Sequence, residues 1–102
     1  VGATVCFNDL PLLSNIYSYI NNGCIPGGMQ RNYDSYGHFF NKLTTLQNTV
    51  LCDPQTSGGL LVTVSDESLI DFHELIKSHQ INLKSIGKIT ELNSAKEVVH
   101  IE

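Results

Sequence analysis

Apolar and polar positions follow two different periods along this chain. Ala3-Thr4-Val5-Cys6-Phe7 opens with a strand-like run. Leu12, Leu13, Ile16, Tyr17 and Ile20 then recur at helical spacing and give one apolar face. Asp9 stands ahead of them as a carboxylate cap, Leu10-Pro11 suits a first turn, and Asn21-Asn22-Gly23 supplies a stop that tolerates left-handed backbone. Pro26-Gly27-Gly28 cannot propagate regular structure, so residues 24–34 are expected to form a loop. Asp34 is then placed to cap a short helix from Ser35 to Phe40, with Phe39 and Phe40 facing inward. Between Leu43 and Leu51 the residues Thr44, Thr45, Asn48 and Thr49 lower helix propensity, and a short helix or a turn both fit.

The second half carries the strongest strand signal. Gly59 to Val64 is nearly all apolar or β-branched and predicts a central strand. Ser65 and Asp66 are expected to cap a helix running to about His79. Its acidic residues Asp66, Glu67 and Asp71 lie toward the positive end of the dipole, and Lys77 and His79 toward the negative end. Leu69, Phe72, Leu75 and Ile76 would form its buried stripe. Leu83 to Ile89 predicts a strand interrupted by Gly87, and Glu97 to Ile101 a short edge strand. This order of elements predicts an α+β fold, an α/β two-layer sandwich with helices packed on one face of a mixed sheet.

Composition narrows the picture mainly by exclusion. At 102 residues the chain is expected to be one domain. Six Lys and Arg against ten Asp and Glu give a formal charge of −4, which supplies no basic surface for nucleic acid. No apolar run approaches the ~20 residues that cross a bilayer, and no basic-then-apolar leader is present, so neither membrane nor secretion is expected. Cys6, Cys24 and Cys52 are odd in number and widely spaced, which suits a reducing cytoplasm, with each acting as a small core hydrophobe. No cationic neighbour in sequence would hold a Cys52 thiolate. The four histidines lack the close Cys and His pairing of a zinc site, so no metal is expected. Val1 opens the chain without methionine and directly on a strand-like run, which reads as part of something longer.

Candidate chemistry concentrates in Cys52-Asp53-Pro54-Gln55-Thr56-Ser57-Gly58-Gly59-Leu60-Leu61. Two adjacent glycines permit positive φ and close approach of another surface. Successive N–H groups in such a turn can converge on an anion, and Thr56 and Ser57 add hydroxyl donors. The loop lacks the lysine of a Walker A sequence. Taken alone, the glycine pair reads more readily as a tight entry turn to a buried strand than as an anion site. Asp53 suits bonding to its own turn better than holding Mg²⁺. Arg31 can meet a phosphate or pair within its own loop with Asn32, Tyr33 and Tyr36.

The ten-residue string resembles a segment of the C-terminal domain of selenophosphate synthetases (selenide, water dikinases). Pro26-Gly27-Gly28-Met29-Gln30-Arg31-Asn32 is similar to that family's Pro-Gly-Gly-x-x-Arg-Asn segment and precedes the string in the family's order. Leu10-Pro11-Leu12-Leu13 and Ile86-Gly87-Lys88-Ile89 fit in sequence around them. The resemblance implies a C-terminal α/β domain shared with aminoimidazole ribonucleotide synthetases. It also implies a parent enzyme that turns ATP, selenide and water into selenophosphate, AMP and orthophosphate, with ATP and Mg²⁺ as cofactors and a homodimeric, cytoplasmic state. The loop Gln55, Thr56, Ser57, Gly58 and Gly59 would face the substrate phosphates, with Arg31 as a possible cationic contact.

The family's reactive cysteine or selenocysteine, its neighbouring lysine and most of its metal-binding aspartates belong to an N-terminal ATP-binding domain whose motifs are absent here. So is the Asp-Val-Thr-Gly-Phe-Gly segment. The chain alone is therefore expected to hold no catalytic residue, no cofactor and no activity, and its partner would be that N-terminal domain. A different class of function remains open: a non-catalytic packing or dimer-interaction domain of the same enzyme or of a related purine-biosynthetic synthetase or thiamine-phosphate kinase.

Overall fold

Every strand that forms lies near one end of the chain or the other. The computed structural model describes residues 1–92 and 96–102, and its strands are β1 (Gly2–Val5), β2 (Gly87–Thr90) and β3 (Val99–Ile101). β1 is central, antiparallel to β2 and parallel to β3, so the sheet is mixed with order β2-β1-β3. Register places Ala3 opposite Ile89 on one side and Val99 on the other. Gly87 does not interrupt its strand as expected but begins it. A Cβ there would fall on the Thr4 carbonyl oxygen, so β1 and β2 approach too closely for any side chain at this position.

The outer side of β3 is closed by the Phe39–Asn41 backbone, where Val98 N–H bonds the Phe39 carbonyl and Asn41 N–H that of Val99, and by one side chain. Phe40 bridges Val99, and the Asn41 carboxamide continues where the backbone turns away. Its Nδ2 donates to the Ile101 carbonyl at 2.9 Å, and its Oδ1 accepts from the Ile101 N–H at 2.8 Å. Asn41 thus presents to β3 the donor and acceptor pair that a neighbouring strand would offer.

The helices are α1 (Ile16–Asn21), α2 (Gly28–Tyr36), α3 (Thr45–Leu51) and α4 (Leu69–Ser78). With the mixed sheet they make the fold α+β, as the order of predicted elements implies, and consistent with a two-layer sandwich. α1 starts six residues later than Leu10, because Asn15 takes a left-handed φ of 68° and breaks the run. Asp9 is drawn instead into an ion pair with Lys84. The predicted stop is met: Gly23 has φ 76°, and Cys24 N–H bonds the Tyr19 carbonyl while Gly23 N–H bonds that of Ile20. α4 ends in the same way with Gln80, at φ 57°, in the glycine position.

α2 overturns the expected 24–34 loop. Pro26 and Gly27 lie ahead of its first turn, where neither obstructs a helix, and Met29 N–H bonds the Pro26 carbonyl. The expected 35–40 helix is the end of α2 followed by a 3-10 turn over Gly37–Phe39, and Phe39 is exposed rather than inward. Gly37 is required there because a Cβ would strike the Tyr33 ring. α3 resolves the ambiguous 43–51 segment as helix through a capping box. Thr44 Oγ1 accepts from the Gln47 N–H, and Gln47 Oε1 accepts from the Thr44 N–H.

Two further expectations fail on burial. Gly59 to Val64 forms no strand: Leu60 is 94% and Leu61 78% exposed. The two terminal strand regions build the sheet without them. On α4 only Ile76 of the predicted stripe is buried; Phe72 is half-buried, while Leu69 and Leu75 face solvent. The apolar core among the described residues is Phe7, Cys52, Ile76 and Ile101, with Thr49 as its buried polar member. The radius of gyration is 15.3 Å, against about 13 Å for a compact domain of 100 residues. A small core and a wide surface go together. No helix among the described residues is long and apolar enough to cross a membrane.

Candidate functional site

Gly28 and Asn32 stand four apart on α2 and therefore share a face. That face meets the end of α3. A Cβ on Gly28 would lie 2.9 Å from Pro54 Cγ, so the α2 backbone rests directly against the proline ring. One turn on, Asn32 Nδ2 donates to the Cys52 carbonyl at 2.9 Å in a half-buried position. Cys52 is the C-cap of α3, so this bond satisfies a carbonyl at a helix end. The two glycine-paired stretches, 20 residues or more apart in sequence, are joined along one seam.

Arg31 lies at the same seam. The Gly28 Cβ position that Pro54 blocks is also 3.4 Å from an Arg31 guanidinium nitrogen, Nη2, so the guanidinium folds back over the first turn of α2. The Arg31 side chain is exposed and makes no ion pair or hydrogen bond with the described residues. Its pairing with Asn32, Tyr33 or Tyr36 is not found: Asn32 is committed to Cys52, and Tyr33 and Tyr36 are exposed.

Beyond Pro54 the chain runs exposed from Gln55 to Gly59. None of these N–H groups donates to an acceptor among the described residues. Asp53 does not bond its own turn's backbone as expected; its carboxylate accepts from the Gln55 side-chain amide at 3.4 Å. Neither Gly58 nor Gly59 takes a left-handed φ. A Cβ on Gly58 would come within 3.3 Å of Gln55 Oε1, and one on Gly59 would meet nothing within 4 Å. Nothing inside this chain therefore demands glycine at 59.

The cysteines divide by environment. Cys52 is buried, and desolvation raises its thiol above the ordinary value of 9.0, which disfavours a thiolate. Cys24 is exposed, not the core hydrophobe expected, and Cys6 is intermediate. Among the described residues no group of three or more His, Cys, Asp or Glu is placed to hold a metal ion. Asp53 with Thr56 and Ser57 does not fit a Mg²⁺ site, and no step is assigned to that ion through this chain.

Sequence reasoning singled out both motifs but not the seam between them. The signal was available in the i, i+4 spacing of Gly28 and Asn32, which becomes visible only once 28–36 is read as helix.

No family model matches the chain. Curated relatives do. It is 44% identical over 101 residues to the selenide, water dikinase of Photorhabdus laumondii, covering 99% of this chain and 29% of that protein. It is 49% identical over 97 residues to that of Shewanella sp. strain ANA-3, covering 95% and 28%. The Haemophilus influenzae protein of the same name is 42% identical over 102 residues, covering 100% and 29%. Such identity over nearly the whole chain places it, with its α+β fold, among proteins named selenide, water dikinase. The chain belongs to the selenide, water dikinase family over the portion it spans, which is under a third of the length of these relatives.

Proposed function

We propose that this chain is the C-terminal domain of a selenide, water dikinase and that its exposed 55–59 loop meets substrate phosphates. The reading rests chiefly on one observation. A run of unpaired N–H groups and an unpaired guanidinium flank the Pro54 seam, where an anion would find donors and positive charge together.

In the whole protein the reaction is the family's: ATP, selenide and water give selenophosphate, AMP and orthophosphate. ATP and Mg²⁺ are held by an N-terminal ATP-binding domain of the same polypeptide, against which this domain closes. The full-length protein is a cytoplasmic homodimer, and this chain by itself is inert. What its own residues contribute is positioning. Thr56 and Ser57 hydroxyls and the loop N–H groups orient phosphate oxygens, and Arg31 offsets their charge. Phosphoryl transfer depends on such placement and neutralisation more than on covalent help from the protein.

Gly59→Val in the full-length protein is the sharpest test. The new side chain enters space that is open within this chain, so folding is spared, while a phosphate approaching the loop is crowded. Selenide-dependent ATP consumption should fall at least about tenfold in kcat/KM, a loss of about 1.4 kcal/mol. An unchanged rate in folded Gly59→Val, together with unchanged Thr56→Ala and Ser57→Ala, would leave the loop as a packing element only.

A further inference from the structure

The anion-facing loop is only as well placed as its anchor. Residues 55–59 make no backbone hydrogen bonds to the other described residues, so their position is inherited from Cys52, Asp53 and Pro54. Two contacts hold that stem to α2: the Pro54 ring on Gly28 and the Asn32 amide on the Cys52 carbonyl. The first is an apolar contact that permits sliding along the helix. The second is directional, since a hydrogen bond weakens steeply away from linearity.

The geometry also ties the loop to Arg31. Asn32 follows Arg31 directly on α2, and the guanidinium folds over Gly28 beside Pro54. A single α2 turn therefore carries both the cation and the fastening of the loop. Loss of the fastening would separate donors that otherwise act on one anion.

We propose that Asn32 is a positioning residue, holding the 55–59 N–H groups in register with the Arg31 guanidinium so that both bind one phosphate group of a nucleotide. This rests on the phosphate-facing reading above. Asn32 itself touches no ligand; its amide is already committed to the Cys52 carbonyl. The bond is half-buried, and its other effect is to cap α3, which would show as stability alone.

The test uses the full-length protein, ATP as the probe, and two readouts: KM against kcat in selenide-dependent ATP consumption, and hydrogen exchange of the 53–61 segment with and without ATP. Asn32→Ala and its isostere Asn32→Asp, which cannot donate, are compared with Arg31→Ala and with the Arg31→Ala/Asn32→Ala pair. The isostere guards against a simple packing defect.

Asn32→Ala should raise KM for ATP about fivefold, the loss of one net hydrogen bond, more than it lowers kcat. It should also abolish ATP-induced protection of 53–61. The double variant should lose no more than about twofold beyond Arg31→Ala, because the two residues act as a unit. Full additivity, or a drop in melting temperature with KM and protection intact, overturns the proposal and leaves Asn32 as a helix cap. An inert Arg31→Ala together with an inert Gly59→Val would instead remove the phosphate-facing reading, and this proposal with it.

Discussion

The sheet and the 55–64 segment are opposites in what they offer and what they receive. β1 is four residues long, includes a glycine and an alanine, and is paired on both sides. Leu60-Leu61-Val62-Thr63-Val64 has far higher β-propensity, yet its backbone pairs with no described residue, and all of its side chains but that of Val64 stand in solvent. Strand formation is decided by available partners, and propensity only ranks the candidates. β1 finds β2 and β3, carried to it from the far end of the chain, while the stronger candidate finds none.

Four outcomes would break or sharpen that contrast. Among substitutions that act on strand pairing, the largest effect belongs to Gly87→Val. Its side chain would drive into the Thr4 carbonyl, so strand pairing must shift, at the upper end of the about 1–3 kcal/mol that overpacking costs. Chemical denaturation reads it directly, and wild-type stability would show that β2 is not held as described.

Asn41→Ala comes next. It leaves a half-buried Ile101 N–H and carbonyl without their partner, which should cost about 1–3 kcal/mol, seen as a lower denaturant midpoint. Asn41→Asp keeps the acceptor for the N–H but loses the donor, and should fall between.

A smaller effect concerns pH at the exposed tie between the ends of the chain. Hydrogen bonding from Lys84 draws the Asp9 carboxyl below its ordinary 3.8, and Asp9 lifts the Lys84 ammonium above 10.5. A lowered carboxylate contributes stability above its ordinary pKa and loses it as pH falls through the lowered value. A raised ammonium contributes below its ordinary pKa and loses it as pH rises through the raised one. Asp9→Asn should therefore lower the melting temperature slightly near neutrality and flatten both flanks of its pH profile. Added salt should shrink the difference. Identical profiles for the two proteins would remove the tie from the account.

The smallest effect is expected where propensity is highest. Leu60→Ser and Leu61→Ser should change stability of the chain by no more than about 0.5 kcal/mol, because both side chains are already in water. Ile101→Ala, a truncation in the core, should cost about 2–5 kcal/mol by the same assay. Equal losses from the two sites would mean that the 60–64 run is buried in solution.

Much of the architecture was legible from periodicity. The α+β class, the α4 helix, the glycine stop of α1 and both terminal strand regions follow from spacing and capping residues. The misreadings share a cause. Pro26-Gly27-Gly28 reads as a break in structure throughout 24–34, although proline and glycine ahead of a first turn leave Met29 onward free to be helical. Asp9 was assigned as a cap because Lys84 lies 75 positions away in sequence and cannot be seen from local pattern. The Gly59–Val64 strand was inferred from residues that favour pairing, and pairing is a property of the partner.

For the candidate site, the string Gln55–Gly59 and Arg31 were visible as separate motifs. The packing of Pro54 and Arg31 about Gly28 was not, because it depends on a helix face that a loop over 24–34 does not have. The identity of the family was readable early because it needs only order and residue type. The seam needs three dimensions.

Asn41 also has a bearing on how this chain behaves at high concentration. A sheet offers two flanks to any passing extended peptide, and here one is already occupied by the Phe39–Asn41 backbone and the Asn41 carboxamide. Recruitment of a foreign strand is thereby confined to the opposite flank, along Lys88 and Ile89. Removing that amide would free the Ile101 N–H and carbonyl and give a foreign strand a first foothold on the second flank as well.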